Sequence, residues 1–167
     1  MRILGLAGWS GSGKTTLMKQ LIPELRRRGL SVSTLKHAHH SFDIDQPGKD
    51  SYEHRRAGAA EVMVASATRW ALIHEHRGAP EPGLTDLLQR LSPVDLVLVE
   101  GFKREKHPKL EVHRPGLGKP LLCREDPMIR GVATDVPMPD LPVPRLALDD
   151  VPGIAAFVLE HAAPWPS

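Results

Sequence analysis

The chain has 167 residues, 41% hydrophobic and 25% charged, a size and balance that fit one globular domain able to bury a core without staples. Its single cysteine, Cys123, excludes an internal disulfide framework and a cysteine-rich zinc site, and a formal net charge of +2 is too small to indicate nucleic-acid binding. No apolar run nears the ~18 residues of a membrane span and the N-terminus lacks a signal-peptide pattern, so the expectation is a cytoplasmic protein with neither membrane nor nucleic-acid partners.

Residues Arg2 to Ala7 read as a buried strand, followed by a glycine-rich turn and a helix from Lys14 to Arg28. Leu17, Met18, Leu21, Ile22 and Leu25 form its apolar stripe, Gly29 supplies the stop, and Pro23 should kink it. A second strand, Ser31 to Lys36, delivers a polar segment from His37 to Ser51, and a short helix follows around Tyr52 to Ala57. Glu61 to Ala65 and Arg69 to His74 read as a hairpin.

A helix from Leu84 to Leu91 precedes the strand Asp95 to Val99, whose near-continuous apolar character places it inside a parallel sheet. Short strands are expected at Leu110 to His113, Gly131 to Ala133 and Arg145 to Leu148. The segment Pro137 to Pro144 should be extended, and a final helix should run from Ile154 to His161. This alternation predicts an α/β three-layer fold, mainly parallel with additional antiparallel strands. The domain expectation is one nucleotide-binding domain over 1–167 with a hairpin extension at about 60–76.

Gly8-Trp9-Ser10-Gly11-Ser12-Gly13-Lys14-Thr15 satisfies G-x-x-x-x-G-K-[ST] between a strand and a helix. Glycines let successive N–H groups curl around an anion, and the helix N-terminus adds unpaired donors and a favourable dipole. Lys14 is placed for the β- and γ-phosphates of a purine nucleotide, and Thr15 for Mg²⁺. A P-loop NTPase also needs an acid ending a neighbouring strand. Glu100 in Asp95-Leu96-Val97-Leu98-Val99-Glu100-Gly101 fills that place, and the Gly101 N–H is a candidate for the γ-phosphate.

The segment His37 to Ser51 leaves the sheet at the edge where ligands of α/β proteins bind. Asp43, Asp45 and Asp50 are candidates for Mg²⁺ or for positioning a water, and Lys49 for a phosphate. His37, His39 and His40 raise a transition-metal site, although the fixed spacing of a helix is missing. A structural role for them is preferred.

Three stretches, GWSGSGKTT, LKHAHHSFDIDQPGKDSYEHRRAGA and VDLVLVEGFKREKHPKLEVHR, together resemble the MobB family over roughly residues 1 to 135. The resemblance implies a P-loop NTPase fold and a GTP-binding adapter in molybdenum cofactor biosynthesis with weak Mg²⁺-dependent GTPase activity. It further implies a homodimer that assists a MobA-type guanylyltransferase, with molybdopterin or a molybdoenzyme as further partner. Gly8 to Thr16 match the family's phosphate loop, Glu100 its acid, and Asp45, Lys49, Asp50 and Ser51 its DxxGKDS stretch. Arg55, Arg56, Lys103 and Lys106 fall at its basic positions and are candidates for a partner's or cofactor's anion.

The sequence contains no asparagine, so an N-K-x-D guanine motif is absent, and Asp135 after a strand is the candidate base acceptor. No glutamine is evidently placed to orient water and no cis arginine finger is evident, which fits slow hydrolysis at most. Arg55, Arg56 or a partner's arginine are candidates for that role. The competing readings are a small-molecule P-loop kinase and a metal-inserting GTPase.

Overall fold

The computed structural model describes residues 1–38 and 42–165. The chain opens with β1 (Arg2–Ala7), α1 (Lys14–Arg27) and β2 (Val32–Lys36), followed by α2 (Asp50–Arg56), β3 (Glu61–Ala65) and β4 (Trp70–His74). Then come α3 (Leu84–Leu88), β5 (Leu96–Glu100), β6 (Lys109–His113), β7 (Ile129–Thr134), β8 (Arg145–Ala147), α4 (Val151–His161) and β9 (Ala163–Pro164). Two compact units result, one of Met1–His37 with Asp86–Ser167 and one of Ala38–Thr85. Among the described residues no helix is long and apolar enough to cross a membrane.

In the first unit the strands lie in the order β2-β5-β1-β6-β7-β8, each parallel to its neighbour. β6 pairs only with Gly5 to Ala7 of β1, which leaves Arg2 and Ile3 to take the antiparallel β9. The sequence reading did not foresee β9, because a two-residue strand containing Pro164 has no periodicity to detect. The strand expected at the end of the acidic motif is β5, buried along its first four residues between β2 and β1.

One face of this sheet meets α1 and α4. Leu4, Leu6, Leu96, Leu98, Leu110 and Val112 pack there against Leu17, Leu21, Leu25, Ile154 and Val158. Each such leucine, fully buried, contributes about 1.5–3 kcal/mol. The opposite face carries a smaller cluster of Ala7, Cys123, Ile129 and Val132. Among the described residues the buried core is aliphatic apart from Phe157.

α1 continues through Pro23 and stops at Gly29, whose φ of 84° suits a left-handed C-terminal cap. Buried Glu24 draws in Arg27 and Arg28, so two of the three arginines at this end are ion-paired. α4 begins three residues earlier than its apolar stripe suggested. Asp150 Oδ1 accepts from the Gly153 N–H at 2.9 Å and Pro152 occupies the first turn, a combination that starts a helix.

In the Ala38–Thr85 unit, β3 and β4 pair antiparallel in the register Glu61↔His74 to Ala65↔Trp70. Val62 is buried, whereas Met63, Trp70 and Leu72 on the other face are 61%, 64% and 41% exposed. Arg55 organises this unit. Its guanidinium donates to Asp43 at 2.8 Å, to Glu75 at 2.8 Å and to Asp45 at 3.2 Å, and it lies over the Tyr52 ring. Arg77, at a φ of 47°, donates to the carbonyls of Arg55 and Ala59.

Candidate functional site

Because β1, β5, β6 and β7 run parallel, the residues that follow each of them emerge on one edge of the sheet. Gly8 to Thr15 follow β1, Gly101 follows β5, Arg114 follows β6 and Asp135 follows β7. Strand register fixes the level of the groups: Leu6 of β1 is level with Glu100, and His113 of β6 with Thr134. A shared edge is thus built from residues far apart in sequence.

The loop from Gly8 to Gly13 turns sharply. Gly8, Gly11 and Gly13 have φ values of 144°, 80° and 101°, which side chains bearing a Cβ rarely adopt. At Gly8 a Cβ would also strike the Val112 carbonyl and the Ser12 hydroxyl. Ser12 is buried, and its Oγ has no protein partner. No side chain caps the N-terminus of α1, and its first turn carries no acid. The first-turn N–H groups of a 14-residue helix therefore face the loop as a field favourable to an anion.

Lys14 is half-buried, and its ammonium donates to the carbonyls of Gly8 and Trp9, each at 3.0 Å. Burial lowers its pKa, the Glu100 carboxylate raises it, and the nearby charges of Lys103 and Lys36 lower it further. Thr15, Thr16 and Ser10 are exposed beside it. Glu100 ends β5 half-buried, with Lys36 Nζ 4.0 Å from its carboxylate. Next to it, Gly101 has a φ of 93°, and a Cβ there would lie 2.6 Å from His37 Cβ. The cradle of glycines, the unpartnered Ser12 hydroxyl and the hard oxygens of Thr15 and Glu100 fit a phosphate chain with a divalent cation.

Lys103 Nζ sits 5.1 Å from the Trp9 ring centroid and Lys119 Nζ 5.7 Å from it, while the indole donates to the Pro120 carbonyl at 2.8 Å. Lys106 is exposed in the same basic loop. Asp45, Lys49, Asp50, Arg55 and Arg56 all belong to the Ala38–Thr85 unit. There Asp45 accepts from Ser51 at 2.8 Å as well as from Arg55. Burial pushes the Asp45 carboxyl up, but the bonds from Ser51, the Gln46 N–H and Arg55 outweigh it and hold the group low. Asp50 lies in the first turn of α2, where a carboxylate complements the helix dipole. Lys49 and Arg56 are exposed, whereas the Arg55 side chain is only 12% exposed. His39 and His40 lie outside the described residues; among the described residues no group of three His, Cys, Asp or Glu is placed to hold a metal.

Two residues escaped the sequence reading. Glu111, fully buried on β6, accepts from the Leu122 N–H at 2.9 Å and the Cys123 N–H at 2.8 Å, tying down the short helical turn that follows. Arg114 donates through Nε to the Ser12 carbonyl at 3.2 Å and through a terminal nitrogen to Asp135 at 2.9 Å. Asp135, the expected base acceptor, therefore already holds a cation. Both line a cavity of about 310 Å³ that also takes in Gly13, Thr16, Gln20 and Arg145. A polar residue just after a strand is a signal for Arg114, but only strand order reveals that β6 adjoins β1 and β7.

Residues 3–135 match the family model described as MobB: Molybdopterin guanine dinucleotide synthesis protein B. The chain is 48% identical to the molybdopterin-guanine dinucleotide biosynthesis adapter protein of Escherichia coli, over 95% of this chain and 91% of that protein. It is 42% identical to the adapter protein of the same name from Haemophilus influenzae, over 93% of this chain and 86% of that protein. Its fold superposes on a crystal structure of molybdopterin-guanine biosynthesis protein B with a TM-score of 0.70 and 30% identity, covering 95% of this chain and 97% of the other. With a P-loop NTPase-like α/β fold, a phosphate-type loop at its carboxyl edge and these relatives, the chain belongs to the MobB family.

Proposed function

We propose that the chain binds GTP at the loop Gly8 to Thr16 and acts as an adapter in the biosynthesis of molybdopterin guanine dinucleotide. The observation that carries the nucleotide is the juxtaposition of an uncapped helix N-terminus, the Lys14 ammonium and the Glu100 carboxylate on one sheet edge. The names of its relatives carry the pathway.

In this reading the N–H groups of Gly11 to Thr16 and the Lys14 ammonium hold the phosphates, and the Gly101 N–H approaches the γ-phosphate. Thr15 and Glu100 would hold Mg²⁺, which would neutralise phosphate charge there. Asp45 orders the Ser51 and α2 region through its bonds from Ser51 and Arg55, Asp50 complements the dipole of α2, and Asp135 serves the base. Lys49, Arg56, Lys103 and Lys106, all exposed, offer cations to an anionic partner. The partners are a MobA-type guanylyltransferase and its molybdopterin, in the cytoplasm. Hydrolysis is slow in this reading, since the sequence offers no glutamine evidently placed to orient an attacking water and no evident cis arginine finger.

Two copies associate through the hairpin, whose exposed Met63, Trp70 and Leu72 form an apolar face that an isolated two-stranded ribbon leaves to solvent. The chain is thus one nucleotide-binding domain that carries residues 60–76 as an accessory ribbon. The deciding experiment titrates GTP and ATP side by side with Mg²⁺, with and without a molybdopterin-loaded guanylyltransferase. Tight GTP binding with slow turnover, and faster cofactor formation in the presence of this chain, is the expected result. Efficient phosphate transfer to a metabolite would instead establish a kinase, and stoichiometric Ni²⁺ or Zn²⁺ binding in equilibrium dialysis a metal-inserting protein.

A further inference from the structure

The cavity lined by Gly13, Thr16 and Gln20 takes in the last glycine of the phosphate loop and residues from the first two turns of α1. If the phosphates occupy the loop, as proposed above and as this inference requires, the nucleoside is the part that reaches this cavity. Its lining carries charges of both signs, Arg114 and Arg145 with Asp135 and Asp149. A carboxylate suits the N1–H and 2-amino donors of guanine, and a guanidinium suits purine acceptors, stacks on flat rings and fixes a carboxylate in one orientation.

Arg114 joins these two regions physically. Its Nε is bonded to the Ser12 carbonyl inside the phosphate loop and lies 3.4 Å from where a Cβ on Gly13 would be. Its other end holds Asp135 Oδ2 at 2.9 Å, and a carboxylate keeps further lone pairs to accept from other donors. Asp135 is 38% exposed, and a carboxylate on so open a strand end has no fixed orientation without a partner. We infer that Arg114 is the residue that sets base specificity, a positioning residue that presents Asp135 to the 2-amino edge of guanine and locks that edge in register with the phosphate loop.

The test measures affinities of wild type, Arg114→Ala, Arg114→Lys and Asp135→Ala for GTP, GDP, ITP and ATP with Mg²⁺. ITP differs from GTP only in lacking the 2-amino group. Wild type should prefer GTP over ITP by about tenfold or more, the scale of one charge-assisted hydrogen bond. Arg114→Ala should bring that ratio near one and weaken GTP and GDP by the same factor, since the contact is remote from the γ-phosphate. Arg114→Lys, which keeps a cation without the fork, should recover part of the ratio, and adding Arg114→Ala to Asp135→Ala should change it no further.

An unchanged GTP to ITP ratio in Arg114→Ala overturns the inference while leaving the nucleotide reading intact. So does a loss confined to the triphosphate, which would move Arg114 to the γ-phosphate. Wild-type protein that binds no purine nucleotide overturns both.

Discussion

The ammonium of Lys14 folds back onto the carbonyl oxygens of Gly8 and Trp9, 3.0 Å from each, so the loop is closed by its own lysine. The lysine contributes nothing to the apolar cluster behind it. Lys14→Ala should therefore lower affinity for GTP with Mg²⁺ by about a hundredfold or more and leave the circular dichroism unchanged. Calorimetry that returns wild-type affinity would remove Lys14 from the site.

Glu100 tests the cation. Replacing it with Gln keeps shape and hydrogen bonding but deletes the charge, so half-saturating Mg²⁺ should rise about tenfold while Mg²⁺-free nucleotide binding changes little. An identical Mg²⁺ titration in the variant would place the acid elsewhere.

His107 gives the fold a pH signature. It is 1% exposed, and burial, reinforced by the positive charge of Lys109, lowers its pKa to about 4 from 6.5. The unfolded chain thus binds the proton more readily between about pH 6.5 and 4. Stability from this group is complete above that window and is lost as pH falls through it, on the order of 3 kcal/mol. Urea midpoints should drop between pH 7 and 4.5 in wild type and drop less in His107→Asn, which cannot titrate; parallel profiles would refute the assignment.

Cys123 should be inert. Burial, with the neighbouring Glu111 charge, pushes its thiol up to about 11, so little thiolate exists at neutral pH. Iodoacetamide should label it only after unfolding. Glu111→Ala should lower stability by about 1–3 kcal/mol, because it strands two backbone donors, and should open Cys123 to labelling. Rapid labelling of the native wild-type protein would contradict this.

The hairpin carries the association prediction. Met63→Asp with Leu72→Asp places two charges on the exposed face without touching buried Val62, so light scattering should return a dimer mass for wild type and a monomer mass for the double variant. A dimer that survives both changes would put the interface on another surface.

What could be read in advance divides by range. The phosphate loop and Glu100 were legible because each is a contiguous run whose chemistry is tied to strand-loop-helix order. β6 was read as a mere short strand, yet Lys109 and Glu111 are buried within it, paired with Asp126 and with two backbone N–H groups. Alternation hides such residues, because a charge facing a polar interior looks like a charge facing water. Arg55 read as a free cation until its three carboxylate partners, up to 20 residues away, came into view. The bond between Arg114 and Asp135 required knowing that β6 and β7 are neighbours, which composition does not encode.

Trp9 gives the molecule an optical handle of its own. Its indole is fixed inside the phosphate loop by the Pro120 carbonyl and flanked by the ammonium groups of Lys103 and Lys119. Any redistribution of those two charges changes the field across the ring and hence the colour and yield of its emission. With Trp70 and Trp165 replaced by Phe, the remaining signal would report events at the loop in real time, without a label attached to either protein or ligand.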